Sequence, residues 1–127
     1  MDDEEVLPLP RVVAKPWGSE LWWAQTPRYA GKILRVTAGH RLSVQYHRAK
    51  DETSYLLSGR VVLFKGPAPD ELTSREVHAG EAWRNRPGEI HTIEALEDSE
   101  VLEVSTPELD DVVRLADQYG REGTAAP

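Results

Sequence analysis

The chain contains no cysteine. Disulfides, thiolate metal sites and cysteine nucleophiles are therefore excluded, while the redox compartment stays open. An excess of positive charge is also lacking: 15 Lys and Arg stand against 22 Asp and Glu, for a formal net charge of -7. The basic residues are scattered singly, so a phosphate backbone would find no basic face and nucleic acid is not an expected partner. No apolar run reaches signal-peptide or membrane-spanning length, and the N-terminus "MDDEEVLPLP" is acidic instead. A cytoplasmic protein without membrane contact is the expectation. Helical periodicity is almost absent before residue 105, and no internal repeat is visible.

What is present suits one soluble domain. The 127 residues are 39% hydrophobic and 29% charged, and a chain of that size can bury roughly two-thirds of its unfolded surface. Nine short β-type runs separated by turn residues follow one another from "ELWWAQT" to "EVLEVS", ending at Ser105. Many short strands at close spacing predict a β-sandwich or barrel. The end of the chain reads differently. In "TPELDDVVRLADQYG", Thr106 offers an N-cap, Pro107 a first helical residue, and Leu109, Val112, Val113 and Leu115 or Ala116 an apolar stripe closed by Gly120. This predicts a short C-terminal helix. The expected organisation is a flexible acidic tail over residues 1–10, with an edge strand possible near Val12 and Val13, one domain over 11–121, and a frayed end over 122–127.

The chemistry concentrates in "GHRLSVQYHRAKDETSYLLSG", Gly39 to Gly59. Side chains alternate across a strand, so Gln45 and His47 share a face with Arg41 and Ser43. If Glu52 opens the next antiparallel strand, its carboxylate returns to that face. His91 begins the strand after the turn at Pro87 and Gly88, and is a fourth candidate. Two imidazoles, a carboxylate and an amide oxygen make a mixed nitrogen and oxygen set suited to a borderline divalent cation. A single histidine on a strand is more often a hydrogen-bonded packing residue; only the joint spacing raises these four above that.

That spacing, Gly39-x5-Gln45-x-His47-x4-Glu52-x6-Gly59, resembles the first cupin motif, with Gln in place of its first His. Gly80, Gly88 and His91 match the second motif, where Arg86 stands at the usual Pro and Ala95 at the usual Asn. The chain is similar to the cupin domain of type II mannose-6-phosphate isomerases, also found as a small stand-alone form. "KPWGSELWW" looks like that family's opening segment, "RLSVQYH" like its "RLSLQxH", and "DDVVRLADQYGR" like its closing helix, so the likeness runs over about residues 11–121. Around the quartet, Ala49, Lys50, Thr53 and Ser54 replace the family's His, Arg, His and Trp.

The resemblance implies an all-β cupin jelly-roll barrel, assembled as a homodimer. It also implies one divalent metal per chain held by Gln45, His47, Glu52 and His91, zinc first, with manganese, iron, cobalt or nickel as alternatives. The implied activity is isomerisation of a sugar phosphate of the mannose 6-phosphate and fructose 6-phosphate type through an enediolate. Arg41 is the first candidate for the phosphate, ahead of Lys15, Lys50, Arg84 and Arg86, whose bland reading is a solvated surface charge. His78 and Tyr55 are weak candidates for the acid–base group. Trp17, Trp22, Trp23 and Trp83 read as core or interface aromatics before sugar-stacking ones. Two rival readings stay open: a non-catalytic metal- or sugar-binding cupin, suggested by the altered shell, and an oxygen-dependent iron cupin or other metal cupin acting on a different oxygen-rich substrate.

Overall fold

The computed structural model describes residues 6–125. They form β1 (Arg11–Lys15), β2 (Gly18–Gln25), β3 (Ala30–Val36), β4 (Val44–Tyr46), β5 (Glu52–Ser58) and β6 (Arg60–Gly66). There follow β7 (Thr73–His78), β8 (Ala82–Asn85), β9 (Ile90–Ala95), β10 (Ser99–Ser105), β11 (Val112–Ala116) and β12 (Gly123–Ala125). All pairings are antiparallel, in two six-stranded sheets ordered β1-β2-β3-β10-β5-β8 and β12-β11-β4-β9-β6-β7. Strands distant in the chain become neighbours, as when β10 lies between β3 and β5, which is the wiring of a jelly roll. Among the described residues no helix is long and apolar enough to cross a membrane.

The nine expected strands are β2 to β10, and the edge strand near Val12 and Val13 is β1. Of the acidic tail, residues 1–5 lie outside the described residues. The C-terminal helix is a correction: its apolar stripe is strand β11, paired with β4 through Val113 and Tyr46 and through Arg114 and Gln45. Val112, Val113 and Arg114 fit a period of two as well as one of 3.6, and β-branched residues beside an open sheet edge take the strand. Thr106 is no cap; its Oγ1 accepts from Asp51 N at 2.9 Å and its own N–H donates to Asp51 O at 3.0 Å, tying the end of β10 to the start of β5. Within the segment expected to fray, β12 pairs with β11, and residues 126–127 lie outside the described residues.

Strand phase divides the interior into two halves. In the first sheet Leu34, Val101 and Leu56 are cross-strand neighbours, one register row from Lys32, Glu103 and Ser54, and two from Ala30, Ser105, Glu52 and Asn85. In the second, Leu63 faces Ile93, while the next inward row reads Lys65, His91, Gln45, Arg114. The apolar rows join Trp17, Val36, Val61, Val77 and Ala95 in one buried cluster. The polar rows meet at the other end. Gly59, at φ 90°, makes the β5–β6 reversal where a Cβ would strike Ser99 and Asp98, so only glycine closes that corner.

Leu56, fully buried at 0% exposure, sits centrally in the apolar half. Leu56→Ala is expected to lower stability by about 2–5 kcal/mol in urea unfolding. A loss below about 1 kcal/mol, the average for any substitution, would show that this half does not hold the sheets together.

Candidate metal centre

His47 follows β4, Glu52 opens β5 and His91 lies on β9; all three are buried, and each offers a ligand atom within 4.8 Å of the others. Backbone carbonyls fix both rings. His47 Nδ1 is 2.8 Å from Asp111 O and His91 Nδ1 is 3.0 Å from Glu89 O, so each Nδ1–H donates outward and each Nε2 keeps its lone pair toward the centre. His47 Nε2 stands 3.2 Å from Glu52 Oε1, and His91 Nε2 is 3.6 Å from Oε2. His47 Nε2, His91 Nε2 and Glu52 Oε1 are buried without a hydrogen-bond partner.

Two imidazole lone pairs facing a carboxylate repel one another unless a cation lies among them. Ligating histidines commonly donate their far N–H to a carbonyl or carboxylate, as both rings do here. The donor set therefore fits a divalent cation such as zinc. Gln45 is the cross-strand neighbour of His91, and its Oε1 accepts from Ser43 Oγ at 2.6 Å, so it stands beside the trio on the same face.

Further groups hold the carboxylate in place. Asn85 Nδ2 donates to Glu52 Oε2 at 3.0 Å, and Lys50 Nζ lies 3.2 Å from Oε1 and 3.4 Å from Glu103 Oε2. Burial alone would raise the Glu52 pKa, but His47, Lys50 and His91 outweigh it and hold the carboxyl well below its usual range. Burial would lower Lys50, yet Glu103 and Glu52 outweigh it, and the amine stays protonated above its ordinary range. Glu103 is pushed up, by burial first and by the Glu52 charge second. Lys50 reaches inward because Asp111 shapes its loop: the Asp111 carboxylate accepts from the N–H groups of Arg48, Ala49 and Lys50 at 3.1, 2.6 and 3.0 Å.

The trio lies between two cavities that share Gln45, Glu52 and Glu103. The larger, about 430 Å³ with its mouth included, is also lined by Lys15, Glu20, Lys32, Lys50, Arg114 and Arg121. Of the expected phosphate ligands, Lys15 and Lys50 line this cavity and the others do not. Arg41 is exposed, 4.0 Å from Glu94, because Leu42 and Ser43 both turn inward and break the alternation that would have aimed it with Gln45. Arg84 is bound to Asp51 at 2.6 Å, and Arg86 lies exposed in the turn before β9. His78 is exposed 3.1 Å from Glu76, and Tyr55 points out of the sheet between buried Ser54 and Leu56. Trp17 belongs to the core and Trp83 is half-buried beside the smaller cavity, as expected of packing aromatics.

The sequence reading passed over Lys32, Glu103 and Arg114. Each carries a charge in phase with inward neighbours, Lys32 with Leu34, Glu103 with Val101, Arg114 with Val112, and that mismatch of charge and phase was the available signal.

Solved structures resemble this architecture. KdgF from Halomonas sp. is similar with a TM-score of 0.67 at 22% identity, over 76% of this chain and 84% of KdgF. The capsular polysaccharide assembling protein CapF from Staphylococcus aureus is similar with a TM-score of 0.70 at 21% identity, over 84% of this chain and 34% of CapF. Oxalate decarboxylase from Lactobacillus farciminis, in a formate complex, gives 0.70 at 18% identity, over 90% of this chain and 38% of that one. The fold is that of the cupins. No protein-family model and no curated protein matches the chain. The cupin barrel here thus corresponds to most of KdgF and to about a third of the two longer proteins.

Metal uptake needs neutral rings, and burial lowers the His91 pKa from its ordinary 6.5. The site should therefore keep its ion somewhat below that pH. In the metal-free protein, stability linked to His91 is complete above the unfolded pKa and is lost as pH falls through the lowered folded one, because the unfolded chain takes up the proton first. His47→Ala and His91→Ala are expected to weaken metal affinity by more than the 10–100-fold typical of a lost supporting partner, measured as metal content after dialysis. Unchanged content in either variant would remove the centre.

Proposed function

We propose that this cupin is a metal-dependent aldose–ketose isomerase that interconverts mannose 6-phosphate and fructose 6-phosphate. The observation that carries the reading is the convergence of three buried, unpartnered donor atoms from His47, Glu52 and His91, with Gln45 as neighbour. These four residues would hold one divalent ion, zinc first, whose Lewis acidity is worth several kcal/mol at a polarised carbonyl.

The remaining steps fall to the chain itself. Lys50 Nζ, protonated and lining the larger cavity, is a donor for an oxygen of the sugar. His78 and Tyr55 lie outside both cavities, which leaves the acid–base role to another group. Glu103 is the carboxylate that lines both cavities without belonging to the ligand set, and burial raises its pKa toward the range where a carboxyl can both take and return a proton. The barrel wall excludes water on the side of Leu34, Leu42 and Val101, which suits proton transfer between adjacent carbons.

The altered shell bears on the rival reading, a non-catalytic metal- or sugar-binding module. Ala49 and Thr53 are exposed, so two of the departures lie away from the cavities; Ser54, buried beside the smaller one, is the departure that could matter. Protein loaded with divalent metal should convert mannose 6-phosphate in a coupled assay and lose activity on chelation. Glu103→Gln should lower kcat by about 10²–10⁴-fold with metal content unchanged. Binding without turnover would favour the module, and oxygen consumption would favour an iron cupin.

A homodimer is part of the proposal. On the outer face of the first sheet Val12, Leu21, Ile33, Leu102 and Tyr55 are successive cross-strand neighbours, an apolar row with Val12 60% and Tyr55 42% exposed. Light scattering should give twice the mass of one chain, reduced to one by Leu102→Glu; a monomeric wild type would end the idea.

A further inference from the structure

The larger cavity gathers more positive charge than its own carboxylates neutralise. Glu20 is taken by Lys32 Nζ at 3.4 Å and by Trp22 Nε1 at 2.9 Å, Glu52 faces the two histidines and Lys50, and Glu103 is held by Lys50. Lys15, Arg114 and Arg121 remain, from three separate segments: the end of β1, the inward face of β11, and the stretch between β11 and β12.

Their placement is specific. Arg114, 8% exposed, is the cross-strand neighbour of Gln45, which is in turn the neighbour of His91. Two strand spacings, about 10 Å between backbones, therefore separate Arg114 from the histidine, and both side chains point inward. Arg121 is held by Asp117 through Nε at 2.8 Å and Nη2 at 3.1 Å, which uses two of the five guanidinium donors and leaves three. Lys15 lines the same cavity, and its Nζ makes no hydrogen bond or ion pair to a described residue.

We infer that Lys15, Arg114 and Arg121 form an anion subsite that takes the phosphate monoester of a substrate whose opposite end lies at the His47, Glu52 and His91 centre. The inference rests on the isomerase reading for the identity of the sugar, though not for the anion.

The mutual effect of these charges supports it. The Lys15 pKa is lowered, by burial first; Glu20 opposes this, while Lys32, Arg114 and Arg121 add to it. That of Arg114 is lowered by burial and then by Arg121. Three cations held in a partly closed space at each other's expense are stabilised by a dianion, which Arg and Lys bind through charge-assisted hydrogen bonds. Because Gln45 stands between Arg114 and His91, a sugar lying along that row would present one end to the metal ligands and the other to the arginines. A six-carbon chain with a terminal phosphate spans such a distance; a bare oxyanion does not.

The test uses the whole protein with inorganic phosphate and with mannose 6-phosphate. Thermal unfolding of the metal-stripped protein should shift upward with inorganic phosphate, and the shift should persist in His91→Ala and disappear in Lys15→Gln. Arg114→Lys, which keeps a cation in the buried position, and Arg121→Gln serve beside Lys15→Gln in case one variant folds poorly. In metal-loaded protein each variant should raise the Kd or KM for mannose 6-phosphate about 10- to 100-fold per lost charged hydrogen bond, with metal content unchanged and mannose unaffected. No phosphate shift in the wild type, or unaltered phosphate affinity in Lys15→Gln and Arg121→Gln, would overturn the subsite. Equal protection by glucuronate would overturn the choice of phosphate over carboxylate. If phosphate protects in this pattern while no isomerisation occurs, the isomerase reading fails and the subsite stands.

Discussion

Three lone pairs pointed at one place decide how this barrel must be understood. Each imidazole has its Nδ1–H committed to a backbone carbonyl, Asp111 O for His47 and Glu89 O for His91, so neither ring can turn its proton inward without giving up a hydrogen bond. Leaving such atoms buried and unmatched costs about 1–3 kcal/mol apiece. A fold that only needed to be stable would fill these positions with apolar side chains, as it does one register row away at Leu34, Val101 and Leu56. Strand phase therefore delivers polar residues to one end of an interior whose other end is an ordinary core, and the polar end is where chemistry can occur.

The supports of the centre lie far from it in the chain. Asp111, some sixty residues beyond the loop it organises, accepts three consecutive N–H groups from Arg48 to Lys50 and through its carbonyl orients His47. Gly88 N donates to His47 O at 2.7 Å, joining the turn before β9 to the loop after β4. Positions of the ligands thus depend on long-range contacts that form only when both sheets are assembled. A jelly roll, in which distant strands are neighbours, supplies such contacts as a matter of course.

How far the sequence could reveal this depends on the range of the interaction involved. The quartet was legible because its spacing is local: Gln45 and His47 sit two apart, and the β5 turn returns Glu52 to them. The corner at Gly59, which only a residue free to take positive φ can form, marks the end of that unit. Arg41 was misread because the two-residue rule assumes an unbroken strand, whereas β4 is only Val44–Tyr46 and Leu42 and Ser43 both face inward. The C-terminal segment was misread because its apolar pattern suited two periods, and the free edge of β4 that chose between them is sixty residues away. Lys50 looked like a surface lysine because nothing nearby in the chain announces the carboxylates of Glu103 and Glu52 that receive it.

The same correction changes the electrostatics of the cavity. With β11 as a strand, Arg114 faces inward beside Gln45, and Arg121 lines the cavity from the segment that leads to β12. On a helix covering the outside of the barrel, both would have been solvated charges with little effect on the interior. Placed inside, they oppose the carboxylate-rich centre across the width of about two strands, so the cavity is positive at one side and, until a cation arrives, negative at the other. A field of that form orients any small molecule with an anionic end and an electron-rich middle before a single hydrogen bond forms. Choice of substrate orientation is therefore a consequence of strand pairing at β11, and the catalytic centre and the basic wall belong to one electrostatic unit.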